Sequence, residues 1–102
     1  MMFIHNVYFW LKEGLDDDAV KAFEMGLQTL CVSPPAKAGA WGPPAPSEPR
    51  PVVDGSFSYG LHVVFDDVAG HDAYQVGDVH QAFLAENASK WERVLVYDTV
   101  SA

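Results

Sequence analysis

Residues 2–12, MFIHNVYFWLK, decide the fold of this chain. β-Branched and aromatic side chains dominate the stretch, which is typical of a β-strand. Both alternating faces of the strand are mostly apolar: one carries Phe3, Val7, Phe9 and Leu11, and the other carries Ile4, Tyr8 and Trp10. A strand of this kind is central in its sheet and is covered on each side. We therefore expect helices on one face of the sheet and a second sheet on the other.

An amphipathic helix is predicted after this strand. Gly14 breaks the strand, and the acidic run 16–18 favours a helix N-terminus because carboxylates cap its free N–H groups. Apolar residues then recur at three- and four-residue spacing up to about Val32, namely Val20, Phe23, Leu27 and Leu30. All seven prolines fall within residues 34–51. That segment is predicted to be an exposed loop, with a short strand over 37–41.

The second half of the chain repeats the alternation of strand and helix. A strand is predicted over 56–66, and one of its faces carries Phe57, Tyr59, Leu61, Val63 and Phe65. A helix from 68 to about 74 is interrupted at Gly77-Asp78, a further helical segment covers 79–87, and a last strand covers 91–100. The order β-α-β-β-α-β predicts an α+β, ferredoxin-like fold with an antiparallel sheet.

Two helices cover only one face of such a sheet. The first, third and fourth strands also give the other face apolar side chains, and an exposed apolar face of that size usually marks a protein interface. The arrangement that covers both copies at once is a twofold homodimer in which the two sheets pair face to face.

Composition excludes several classes of protein. The 102 residues are enough for one domain, spanning 1–102. A net charge of -8 argues against binding to nucleic acid or to an anionic membrane. Cys31 is the only cysteine, so no intrachain disulfide forms. No apolar run is long enough for a membrane span and no signal-peptide pattern is present, so we expect a cytoplasmic protein.

Four short motifs resemble the stress-responsive A/B barrel (Dabb) family. The opening 4–12 is similar to the start of these domains, and 57–67 to their third strand and helix cap. The segments 72–75 and 80–83 resemble a signature that places a tyrosine before a histidine, and 94–98 resembles the last strand. The resemblance covers the chain apart from the proline-rich loop. It implies a dimer whose two sheets close into a shared α/β barrel.

The family is functionally mixed: many members have no known activity, and one plant member is a cofactor-free polyketide cyclase. The tyrosine and histidine that carry its chemistry correspond by motif to Tyr74 and His80, and a further pocket histidine corresponds to His5. This chain departs from the motif at Gly77-Asp78, where the family has His-Pro, and its first helix has no tyrosine. The resemblance therefore implies catalytic roles for these three residues but not the cyclase's own substrate.

The residue types are suited to acid–base chemistry. A histidine kept neutral by burial is a base near pH 7, and a tyrosine O–H can polarise a carbonyl group while a histidine removes a C–H proton. The alternative interpretation is structural: His5 is a satisfied buried histidine, Tyr74 belongs to the core, and His80 lies on the surface beside Asp78. His71 is predicted to be solvated.

Three functions remain open at this point. The chain is either a cofactor-free enzyme acting on a small apolar or aromatic carbonyl or polyketide-like compound, a ligand-binding or stress-associated dimer whose cavity side chains fill, or a relative of the cofactor-free monooxygenases. Only the three tryptophans, Trp10, Trp41 and Trp91, hint at the last of these. We expect no metal, because HxH, HxxxH and paired-cysteine spacings are absent. No cofactor is expected, since the chain lacks a glycine-rich phosphate loop, and GxSxG is also absent.

Overall fold

The computed structural model describes all 102 residues. Its strands are β1 (Phe3–Leu11), β2 (Ala38–Gly42), β3 (Tyr59–Phe65) and β4 (Trp91–Val100). Its helices are α1 (Asp17–Cys31), α2 (Val68–Val76) and α3 (Asp78–Asn87), and a 3-10 turn (Ala88–Lys90) leads from α3 into β4. The predicted order of elements and the ferredoxin-like α+β fold are confirmed.

The four strands form one antiparallel sheet in the order β2-β3-β1-β4. β1 is central, as its two apolar faces predicted, and it pairs with β3 on one side and β4 on the other. In this register Val7 lies opposite Leu61 of β3 and Val96 of β4. The same register places His5 directly opposite Asp98.

Local capping fixes where the helices begin. The carboxylate of Asp16 accepts a hydrogen bond from the backbone N–H of Ala19 at 2.8 Å, and that of Asp67 accepts one from Gly70 at 2.8 Å. Both contacts satisfy N–H groups that a helix leaves free in its first turn. α2 ends at Gly77, whose extended backbone turns the chain before α3 begins. This bend separates the helix that carries Tyr74 from the helix that carries His80.

The core lies between the helices and the inner face of the sheet, which is the face the helices cover. Its fully buried side chains come from α1 and β3, with Asn87 at the end of α3: Phe23, Leu27, Leu30, Leu61, Val63, Phe65 and Asn87. The sequence predicted Phe57 on this inner face, but the structure places it elsewhere. β3 begins only at Tyr59, because Ser58 contacts β1 outside the regular strand pairing. Its backbone N–H donates a hydrogen bond to the Phe9 carbonyl, and its hydroxyl accepts one from the Leu11 N–H. The Phe57 ring instead packs 5.0 Å from Tyr8 on the opposite face.

No helix covers the outer face of the sheet. Aromatic and aliphatic side chains of β1, β3 and β4 lie there with a polar pair, His62 and Asn6, whose side chains are 2.7 Å apart. The proline-rich loop borders this face and forms with it an open groove of about 500 Å³, lined in part by Tyr8, Pro43, Phe57 and Tyr97. The face thus combines the predicted apolar side chains with one polar pair. None of the helices has the length and apolar character that crossing a membrane requires.

Candidate functional site

A small cavity lies between the inner face of the sheet and helices α2 and α3. Its volume is about 170 Å³, and 10 of its 13 lining residues are hydrophobic. Polar side chains enter it from β1, α2 and α3: His5, Tyr74, Gln75 and His80. The cavity opens over β4, where Val94 and Val96 are nearly half exposed because no helix covers this edge of the sheet.

The three predicted site residues lie together in this cavity. The ring centroid of Tyr74 is 6.1 Å from that of His5 and 5.3 Å from that of His80. β1 supplies His5, and the bend at Gly77 allows α2 and α3 to present the other two side chains to the same space.

Tyr74 is suited to donate a proton in a hydrogen bond rather than to act as a base. Its side chain is buried against Phe65, with ring centroids 5.0 Å apart. Burial, assisted by the nearby Cys31, raises the pKa of Tyr74 well above the ordinary value of a phenol. The hydroxyl therefore keeps its proton at neutral pH and can donate a hydrogen bond to an oxygen atom in the cavity.

His80 has the complementary character. Burial lowers its pKa, and the neighbouring His5 and His71 lower it further. The imidazole is therefore neutral at pH 7 and able to accept a proton. Its Nδ1 atom is buried and has no hydrogen-bond partner in the protein. His80 makes no hydrogen bond to Asp78, which was the structural alternative.

His5 is held by a carboxylate that the sequence analysis did not identify. Its Nδ1 atom lies 2.6 Å from Oδ1 of Asp98, and the residue is only 4% exposed. Burial lowers the pKa of His5 despite the opposing effect of the Asp98 charge. The neutral ring then carries its proton on Nδ1, donates it to Asp98 and leaves Nε2 as an acceptor. Asp98 lies on the inner face of β4 together with Val94 and Val96. A single carboxylate among apolar residues on one face of a strand is the sequence feature that could have identified it.

His71 is not solvated, so that prediction was wrong. Its side chain is only 13% exposed and stacks on Phe3, with ring centroids 4.2 Å apart. The His5 ring lies 4.9 Å away. His71 precedes Tyr74 by three residues on α2, and side chains at that spacing share one face of a helix. The three-residue spacing to Tyr74 therefore indicates that His71 faces inward, although the adjacent Asp72 suggested an exposed position.

The fourth histidine lies elsewhere. His5 and His62 are on adjacent strands, but they point to opposite faces of the sheet, and His62 bonds Asn6 on the outer face. The residues that could hold a metal are instead His5, His71 and Asp98, which come from three different elements.

Comparison with protein families gives one match that spans almost the whole chain. The model of the stress-responsive A/B barrel domain matches residues 3–101. The chain belongs to this family. Its likeness to the family is therefore confirmed, and the proline-rich loop lies inside the matched region. A comparison with curated protein sequences found no significant match.

Solved structures show the same fold as this A/B barrel domain. A dimeric ferredoxin-like protein of unknown function from Thermobifida fusca has a TM-score of 0.79 and 22% identity, covering 99% of this chain and 92% of that one. A Dabb family protein from Mesorhizobium loti has a TM-score of 0.77 and 22% identity, covering 99% and 97%. A hydroxynitrile lyase from Passiflora edulis has a TM-score of 0.77 and 19% identity, covering 99% and 94%.

Proposed function

We propose that this A/B barrel protein is a cofactor-free enzyme that performs acid–base chemistry on a small carbonyl compound. The observation that carries the proposal is the convergence of His5, Tyr74 and His80 on one largely apolar cavity. A neutral histidine, a protonated tyrosine and a second histidine held by a carboxylate provide a base, an electrophile and an orienting group.

The first step is removal of a proton from the carbon next to the carbonyl group. Tyr74 donates a hydrogen bond to the carbonyl oxygen while an imidazole nitrogen of His80 takes the proton. The C–H electron pair forms a carbon–carbon double bond, and the carbonyl π electrons move onto oxygen. The resulting enolate is stabilised by the Tyr74 hydroxyl. His80 then returns its proton to carbon, or the enolate carbon attacks a second carbonyl group and the resulting alkoxide takes the proton from His80.

His5 shapes the cavity and offers Nε2 as an acceptor for a substrate hydroxyl. Asp98 is a positioning residue, because it holds the His5 ring through the 2.6 Å contact and does not line the cavity. A carboxylate in this position fixes both the tautomer and the orientation of an imidazole.

The volume of the cavity limits the substrate. About 170 Å³ is close to the roughly 150 Å³ of an engineered cavity that accepts benzene. We therefore infer a substrate with one ring or a short chain, and not an extended polyketide. That one protein of this fold is a hydroxynitrile lyase supports chemistry on a small molecule.

The other two functions find less support. An open cavity with polar groups does not match a site filled by its own side chains. The tryptophans do not converge as a shared site requires: Trp91 lines the cavity, Trp10 lies on the outer face, and the Trp41 indole donates a hydrogen bond to Gln28.

We also infer that the protein is a homodimer formed through the outer face of the sheet. Similar structures are described as dimeric ferredoxin-like proteins. The outer face has no covering helix and exposes a large aromatic side chain, Tyr97, to 59%. Pairing two such faces would enclose the 500 Å³ groove at the proline-rich loop.

The proposed activity can be tested before the natural substrate is known. Small aldehydes, ketones and aromatic carbonyl compounds are incubated with the protein in D₂O, and NMR measures replacement of hydrogen by deuterium next to the carbonyl group. We expect the protein to accelerate exchange for compounds with one ring or a short chain. If no compound of this size exchanges faster than with buffer alone, the acid–base proposal is wrong.

A further inference from the structure

We propose that His5, His71 and Asp98 bind a divalent transition-metal ion of the zinc class. The three residues come from β1, α2 and β4. One potential ligand atom of each lies within 4.8 Å of those of the other two. The site goes beyond the proposed acid–base function, since it uses two residues, His71 and Asp98, that do not line the cavity.

The surroundings of His71 are those of a metal ligand. Its Nδ1 atom lies 3.1 Å from Oδ1 of Asp72, so this nitrogen carries the proton and donates it to the carboxylate. The other nitrogen, Nε2, then has a free lone pair, but it is buried and has no hydrogen-bond partner. Metal-binding histidines characteristically donate their second nitrogen to a carboxylate in this way. A bound ion would supply the partner that Nε2 lacks.

His5 and Asp98 can join the site if the ring proton of His5 moves from Nδ1 to Nε2. The proton between His5 and Asp98 now bridges atoms 2.6 Å apart. Ligand atoms at about 2.0–2.2 Å from a tetrahedral ion lie about 3.3 Å from one another. Side-chain shifts of about an ångström are therefore enough for the ion to take the place of that proton, which stays on the His5 ring at Nε2. The Asp98 side chain is 38% exposed, which leaves solvent access for a fourth ligand such as water.

The set of ligands selects the class of ion. Two imidazoles and one carboxylate suit Zn²⁺, Co²⁺ or Ni²⁺, whereas Mg²⁺ and Ca²⁺ prefer sites built from oxygen atoms. Three protein ligands with an open fourth position are the pattern of a reactive rather than a purely structural zinc site. Because His5 also lines the cavity, the ion would lie at the edge of the candidate active site.

The test uses the full chain, freed of metal by chelation and dialysis. Co²⁺ is titrated and the visible absorption of the four-coordinate ion is recorded, and Zn²⁺ binding is measured by calorimetry in two buffers with different ionisation heats. We expect one ion per chain and the same binding heat in both buffers near neutral pH, because none of the three ligands has to release a proton. His71→Ala should abolish the Co²⁺ spectrum, and Asp72→Asn should weaken binding roughly 10- to 100-fold. His62→Gln, a change at the outer-face histidine, should leave binding intact.

NMR of the histidine rings and metal binding by a second variant, His80→Ala, test which residues hold the ion. If His71→Ala does not fold, NMR of the wild-type histidine rings replaces it, and Zn²⁺ should shift the signals of His5 and His71 but not that of His62. Absence of binding, or loss of binding in His62→Gln alone, would overturn the site. His80→Ala should bind metal like the wild type. Loss of metal binding in this variant would mean that the ion binds in the cavity, and it would overturn the assignment of Asp98 as a ligand. A protein that binds Co²⁺ but catalyses no deuterium exchange would retain this site and lose only the proposed function.

Discussion

At the scale of single residues, burial decides what each group in the cavity can do. The same low-polarity surroundings lower the pKa of His5 and His80 and raise that of Tyr74. Burial penalises the charged form in every case, so the histidines are kept unprotonated and the tyrosine protonated. At neutral pH the cavity therefore holds an unprotonated histidine, which can act as a base, and a protonated tyrosine, which can donate a hydrogen bond.

The tyrosine hydroxyl can be tested separately from the tyrosine ring. Tyr74→Phe retains the packing against Phe65 and removes only the O–H group. We expect deuterium exchange to slow about 10²- to 10³-fold, because a single donor to the developing oxyanion has that effect. The thermal midpoint should stay close to that of the wild type. Exchange at the wild-type rate would remove Tyr74 from the mechanism.

At the scale of elements, periodicity predicted the strands and helices, whereas contacts between elements were harder to predict. The apolar alternation of residues 2–12 located β1, and the acidic caps located α1 and α2. The motif order led to Tyr74 and His80, but not to Asp98 or His71. Asp98 reaches His5 only through the pairing register of β1 and β4, and His71 points inward only because of the phase of α2. The spacing between His71 and Tyr74 indicates the phase of α2, but the register between β1 and β4 could not be read from local spacing.

Close packing between β2 and α1 gives a prediction at this scale. A methyl group added at Gly39 would lie 2.7 Å from Cα of Cys31, which is a backbone atom that cannot move aside easily. We expect Gly39→Ala to lower the free energy of unfolding by about 1–3 kcal/mol, as other overpacked sites do. Gly55→Ala is the control, because its methyl group meets only Pro44, at 3.7 Å. Urea unfolding of both variants measures the difference, and equal stabilities would contradict the packing of β2 on α1.

In the whole molecule, the two faces of the sheet differ in what covers them and in which side chains they carry. The inner face holds the core and the candidate catalytic cavity, and the outer face has aromatic side chains around the polar pair His62 and Asn6. The chain carries a net charge of -8, so association of two copies must overcome electrostatic repulsion. We propose that burial of the outer face drives the pairing of two copies.

The dimer gives a direct prediction about mass. Sedimentation in dilute neutral buffer should give twice the chain mass of 11.2 kDa. Tyr97→Asp places a charge on the outer face and should yield monomers, because an unpaired charge is costly to bury in an interface. Met25→Asp adds the same charge on α1, at a position 71% exposed, and should leave the dimer intact. A monomeric wild type, or dissociation of both variants alike, would contradict pairing through the sheet.

The stability of the protein should depend on the protonation of His62. Burial lowers the pKa of His62 in the folded protein, whereas an unfolded histidine titrates near 6.5. Between the lowered pKa and about 6.5 the unfolded chain binds more protons, so stability falls as the pH drops through this range. In metal-free buffer the thermal midpoint should decrease from pH 7 to about 5.5. The decrease should be smaller in His62→Gln, and an unchanged pH dependence would show that His62 is not responsible.

Deuterium exchange catalysed by His80→Ala shows whether His80 removes a proton from the carbon next to a carbonyl group. The wild type, His80→Ala and the outer-face control His62→Gln are compared on the compound that the wild type exchanges fastest, with chelator present and with circular dichroism as a check of folding. We expect His80→Ala to remain folded and to exchange about 10²- to 10⁴-fold more slowly, while His62→Gln exchanges at the wild-type rate. Full exchange activity in a folded His80→Ala protein would show that His80 is not the base.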